Sequence, residues 1–165
     1  MRSGLLVLLL AVLPAVAQQP RNEPRNEPRA NAFNDPFESV TRAIPNCPVP
    51  AGPLYTAQEA RDAAHVRSHH GTSCYRSGRC RLPNSYLYDA DLIPRVVQYI
   101  RLDGRFNDTS LWVVGERRLV WLVGCVNSRE QADALNKAVM LVDDVMGTID
   151  YLALPGEAPR YEVKK

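Results

Sequence analysis

The folding options of this chain are narrowed most by two short runs that are apolar on both faces. Ser110-Leu111-Trp112-Val113-Val114 and Leu119-Val120-Trp121-Leu122-Val123-Gly124-Cys125-Val126 flank the polar step Glu116-Arg117-Arg118. Their β-branched and aromatic residues suit a pleated strand, so the two runs read as a hairpin. Successive side chains of a strand point to opposite faces. With Leu111, Val113, Val120, Leu122 and Gly124 on one side, Trp112, Val114, Trp121, Val123 and Cys125 lie on the other. Both sides of the hairpin therefore call for cover.

One cover is written on either side of the hairpin. Before it, Ile93, Val96, Val97 and Ile100 form one helical stripe, with Asp89 or Asp91 as cap, Pro94 in the first turn and Gly104 as the stop. After it, Ser128-Arg129-Glu130-Gln131 reads as a capping box. The helix that follows carries Ala132, Leu135, Val139, Val142 and Met146 on one face. Gly147 leads into a strand over Thr148–Leu154. Strands joined through a helix run parallel with a right-handed crossover. The expected class is α+β: one αββαβ domain over 89–154, with a three-stranded mixed sheet and both helices on one face.

The remainder divides by composition. Residues 1–17 read as a secretory signal peptide, with Arg2, the apolar run Leu5–Leu13 and Ala15-Val16-Ala17 at the cleavage point. Residues 18–32 repeat Pro-Arg-Asn-Glu, have no large apolar residue, and are expected to be a disordered linker. Residues 33–88 form an extension expected to be irregular through the prolines at 45, 48, 50 and 53. Its one helix runs from the capping pair Thr56 and Glu59 to a stop at Gly71, with a loop from Cys74 to Tyr88. Residues 155–165 read as a flexible tail.

Four cysteines in an exported chain fit disulfides. The preferred pairing is Cys74–Cys80 as a local loop and Cys47–Cys125 as a pin holding the extension on the Trp112/Trp121 face. The other two pairings stay open, because sequence does not set connectivity.

The order of elements over 89–154 resembles the BON domain of periplasmic and envelope proteins. The resemblance rests on Ile93, Val97 and Ile100, on Leu111 and Val113, on the run Leu119–Val126 with Gly124, on Ser128–Val142, and on Val145–Leu152. Gly124 is expected to let chain approach the strand closely. There is one copy of the unit, and Arg117-Arg118 stand where the family's hairpin usually has glycine. The resemblance implies a non-enzymatic module of the cell envelope that binds phospholipid or an envelope protein.

Candidate site residues follow from these readings. Arg95, Arg101, Arg105, Arg117 and Arg118 are candidates for anionic head groups, and Trp112 and Trp121 for a partner surface. A protein-interaction adaptor and a small metal-binding protein are the alternatives to lipid binding. The metal reading rests on His65 and His69, spaced four apart, with the nearby cysteines. No catalytic constellation, metal site or cofactor fingerprint is assigned. With 20 Lys+Arg against 18 Asp+Glu, the chain has no strong field for nucleic acid. The KH-type Gly-x-x-Gly clamp is missing from the sequence. The expected location is the periplasm, with no transmembrane segment in the mature chain.

Overall fold

The computed structural model describes residues 29–164. The signal peptide and residues 18–28 of the repeat linker lie outside the described residues, while residues 29–32, expected to be disordered, are described and paired, Ala30 with Tyr55 and Asn31 with Asp35. The fold is α+β, with a mixed sheet and three α-helices. The elements are β1 (Phe37–Arg42), α1 (Ala57–Arg76), a short 3-10 helix (Ser85–Tyr88), α2 (Asp89–Asp103), β2 (Ser110–Glu116), β3 (Leu119–Cys125), α3 (Arg129–Val139) and β4 (Gly147–Ala153).

The sheet has four strands in the order β1-β2-β3-β4, not the three expected. The hairpin β2–β3 is antiparallel, and β3 and β4 are parallel in register Leu119↔Gly147 to Cys125↔Ala153. The extra strand is β1, antiparallel to β2, with a register irregularity between Ser39 and Thr41. Its sequence, Phe-Glu-Ser-Val-Thr-Arg, buries only Val40, so it lacks the alternation that marks a half-buried strand. Pairing with β2, far along the chain, makes it a strand.

The core lies on one face of the sheet. Leu111, Val113, Val120, Leu122 and Leu152 pack there against Leu92, Ile93, Val96, Val97 and Ile100 of α2 and Ala132, Leu135, Ala138 and Val139 of α3. The apolar stripe of α3 stops with the helix at Val139. Val142 is still buried, but Met146 is half exposed. Ser128 accepts from the Gln131 amide, while the Gln131 side chain reaches back to Asn127 N rather than to the cap residue. Gly124, at φ 135°, is needed because a Cβ there would overlap the Ser110 carbonyl of the neighbouring strand.

Three local expectations change. Helix α1 begins at the Thr56/Glu59 capping box but continues past Gly71 to Arg76. Gly71 is a packing position: a Cβ there would overlap the Asn84 carboxamide. Cys74 thus sits on a helix and not in a loop. At α2, neither Asp89 nor Asp91 caps the helix, whose N-cap is Tyr88, and Pro94 lies in the second turn. Asp89 turns instead to the hairpin. Finally, the tail packs back on the extension. Lys164 N donates to Val49 O, Ala51 N to Glu162 O, and Tyr161 Oη to Pro48 O. The tail was expected to float because its pairing partners lie more than a hundred residues away in sequence.

Cys47 is bonded to Cys125 and Cys74 to Cys80. These disulfides, and the finding that no helix among the described residues is long and apolar enough to cross a membrane, are compatible with an extracellular or periplasmic protein.

Candidate functional site

The outer face of the sheet is closed at one end and open at the other. Trp112, Val123 and Cys125 are buried. The Cys47 bond draws the segment 43–49 over this end. At the other end, Val114, Trp121 and Tyr151 are only half buried. Over them runs a strap made of Pro50–Tyr55 and the returning tail. Sheet and strap enclose a cleft of about 270 Å³, lined among others by Pro50, Pro53, Tyr55, Trp121, Tyr151 and Tyr161. The Trp121 and Tyr151 rings lie 5.4 Å apart.

Among the described residues, two polar groups in this cleft lack hydrogen-bond partners. Trp121 Nε1 is buried with no hydrogen-bond acceptor. A buried donor without an acceptor forfeits about 1–3 kcal/mol. Glu116, at the end of β2, lines the same cleft. Its carboxyl is half buried and held above its ordinary range, chiefly by burial, with the charges of Arg67 and Arg117 opposing. Glu116 and Tyr55 also line a second hollow of about 380 Å³ towards α1, bordered by Asp62, Val66, His70, Tyr86 and Arg117. The two hollows adjoin at these residues and are together called the groove.

The groove is framed by two buried polar assemblies that the sequence did not reveal. In the first, Arg67 of α1 donates to both carboxylate oxygens of Asp35. Its guanidinium lies between the Phe33 and Tyr86 rings, at 4.0 and 3.9 Å from their centroids. This fixes α1 against the segment leading into β1. In the second, Asp89 accepts from the backbone N–H groups of Arg117 (2.6 Å) and Arg118 (2.7 Å). Both arginines take left-handed φ values, 58° and 66°, as a two-residue hairpin turn demands. That turn normally uses glycine or asparagine; here the buried Asp89 carboxylate holds two arginines in it. Burial pushes the Asp89 carboxyl up to about 6, outweighing the two N–H donors that lower it.

No family model matches the chain, and no curated protein matches it.

The arginine candidates do not form one surface. Arg95 and Arg118 converge on Asp144 with Arg81, and this ring of donors holds the Asp144 carboxyl below its ordinary range. Arg118 also donates to Cys80 Sγ and packs on Tyr88. Arg101 donates to the Ser39 and Val40 carbonyls at the sheet edge. Arg105 pairs with Asp103 and lies beside Gln131 of α3. Arg117 borders the groove. Most of these cations are spent on internal carboxylates and carbonyls, and they are scattered across the molecule.

The tryptophans do share a face, in different states: Trp112 under cover, Trp121 in the cleft. His65 and His69 are exposed on α1 with ring centroids 4.7 Å apart. Cys74 and Cys80 are bonded to each other and supply no thiolate to them. Among the described residues no group of three or more candidate metal ligands assembles.

Proposed function

We propose that this chain is a non-enzymatic binding module of the bacterial cell envelope, working in the periplasm, that takes a protein partner on the outer face of its sheet. The observation carrying this reading is the groove over Trp121. It is aromatic, lies beside a strap tied down by the Cys47–Cys125 bond, and contains two polar groups without hydrogen-bond partners among the described residues. Partner surfaces are enriched in such aromatic residues. The resemblance of 89–154 to BON domains and the export signal support the envelope setting.

The test is a photoreactive phenylalanine analogue at Tyr151, compared with the same group at Leu141, in cells exporting the full chain. A discrete protein adduct at Tyr151, absent at Leu141 and suppressed by Trp121→Ala, is expected. Adducts at neither position overturn the reading.

Anionic phospholipid is the second reading, favoured by one observation. Leu102 and Leu141 are 78% and 72% exposed, and Leu141 borders a hollow lined by Arg105 and Lys137 together with Glu130 and Asp133. Apolar side chains beside cations suit a head-group region. Salt-sensitive flotation with anionic vesicles, abolished by Leu102→Ser with Leu141→Ser and unaffected by Trp121→Ala, would replace the protein reading with this one.

A further inference from the structure

We propose that the groove binds an extended, proline-containing peptide segment with a basic side chain, with its arginine or lysine at Glu116 and a backbone carbonyl on Trp121 Nε1. This rests on the protein-partner reading above and names the chemistry of the partner.

Three observations converge on that ligand. First, the walls are rings: Tyr55, Trp121, Tyr151 and Tyr161 line the cleft. Aromatic-lined grooves suit polyproline II segments, which lose little entropy on binding because they are already extended. Second, such a segment has no internal hydrogen bonds, so its carbonyls are free acceptors. Trp121 Nε1 is a buried donor with no acceptor among the described residues, and a ligand carbonyl that reaches it meets that need. Third, Glu116 gives the groove one acidic contact for a cation. Glu116 is half buried and has no hydrogen-bond partner of its own among the described residues. Asp62 borders the adjoining hollow. Of the cations of the region, Arg67 is engaged by Asp35 and Arg160 by Asp150 and the Leu152 carbonyl, while Arg117 borders the adjoining hollow next to Glu116.

The rim displays the same recognition once already. Arg29, which follows a proline in the sequence, pairs with Glu162 at 2.5 Å and with Glu59 at 3.4 Å. Glu162 itself lines the cleft. Arg29, next to the bridge residue Ala30, thus meets an acidic side chain at the mouth of the groove.

The test uses the full exported chain and a short synthetic peptide of the pattern Pro-Pro-Arg-x-Pro. Controls are the same peptide with Arg→Glu and a glycine-serine peptide of equal length. Binding is followed by calorimetry and by the indole N–H signals of the two tryptophans. The arginine peptide is expected to bind saturably and to shift one indole N–H, that of Trp121. Glu116→Gln should weaken binding by at least about tenfold, as loss of a charge-assisted contact does. Trp121→Phe, which keeps the ring and removes the donor, should weaken it several-fold. Near-ultraviolet circular dichroism checks that both variants are folded.

Binding unchanged by either variant, or equal for the Arg→Glu peptide, overturns the proposal. So does saturable binding of tetramethylammonium without binding of the peptide, which would make the groove an aromatic cage for a small cation. If the peptide fails while the Tyr151 adduct persists, the peptide chemistry falls and the protein-partner reading stands. If both fail, both fall.

Discussion

The Asp89 clamp makes stability depend on pH in an unusual direction. The carboxyl has an ordinary value of 3.8 and is pushed up to about 6 in the folded protein. Below about pH 4 both folded and unfolded chains carry the proton, and the group has no effect on stability. As pH rises the unfolded chain loses its proton first, so stability falls until the folded group also ionises near pH 6. At about 1.36 kcal/mol per tenfold change in acidity, the interval from 3.8 to about 6 amounts to about 3 kcal/mol. Asp144, Glu59, Asp103, Glu130 and Glu157 have lowered values and act oppositely, losing stability as pH falls through their folded range. Glu116 acts in the same sense as Asp89. The comparison is therefore between the wild type and Asp89→Asn, in urea unfolding from about pH 4 to about pH 7. All other groups are common to both proteins. The wild type is expected to lose about 3 kcal/mol relative to the variant across this window. A difference that stays flat, or rises with pH, would refute the claim that burial dominates over the two turn amides at Asp89.

Other substitutions probe the frame around the groove. Removing the Cys47–Cys125 bond, which closes 78 residues, should cost about 4.5 kcal/mol on chain entropy, and removing Cys74–Cys80, which closes 6, about 2 kcal/mol. Urea midpoints of the two double-alanine variants check the order, and equal losses would refute it. Arg67→Ala leaves the Asp35 carboxylate buried and unpaired, so a loss of about 3–5 kcal/mol is expected. Arg67→Lys should recover little of it, because lysine cannot fork to both oxygens or stack between the rings of Phe33 and Tyr86. Gly124→Ala combines a φ of 135° with overlap on the Ser110 carbonyl. It should lower stability by about 3 kcal/mol or more, read as thermal unfolding.

What the sequence revealed depended on how local the signal was. The hairpin, the two faces of β2 and β3, the parallel β4 and the helix starts at Thr56 and Ser128 all rest on spacing within a few residues. The strand β1 has no such spacing; the register with β2 defines it, and no local pattern reports a partner seventy residues away. The same holds for the tail, which forms its bridge through Val163 to Pro50. Gly71 looked like a stop because glycine usually ends helices; its neighbour Asn84 decides otherwise. The candidate site was half legible. Alternation put Trp112 and Trp121 on one outer face, but which end stays open depends on the path of the strap. Glu116 looked like a turn residue, and only the fold places it between two hollows. The arginines were visible as charges, and their acceptors Asp144, Asp103 and the Ser39 carbonyl were not.

The position of the disulfide explains why the groove and its cover can coexist. Cys125 is the last residue of β3, and Trp121 lies four residues earlier on the same face. The bond to Cys47 fixes the strap covalently at the Cys125 end, and Tyr55 at its far end is held by backbone bonds to Ala30. Beyond it, Pro50, Pro53 and the tail bridge stiffen the strap without sealing it. A fully sealed face would be core and would present nothing; a fully bare one would invite aggregation. Holding the strap at both ends keeps the aromatic floor in place while the cleft beneath it stays accessible to a ligand. Preorganisation of this kind lowers the ordering cost of binding. Breaking the Cys47–Cys125 bond should thus weaken any ligand of the Trp121 cleft even under conditions where the domain remains folded.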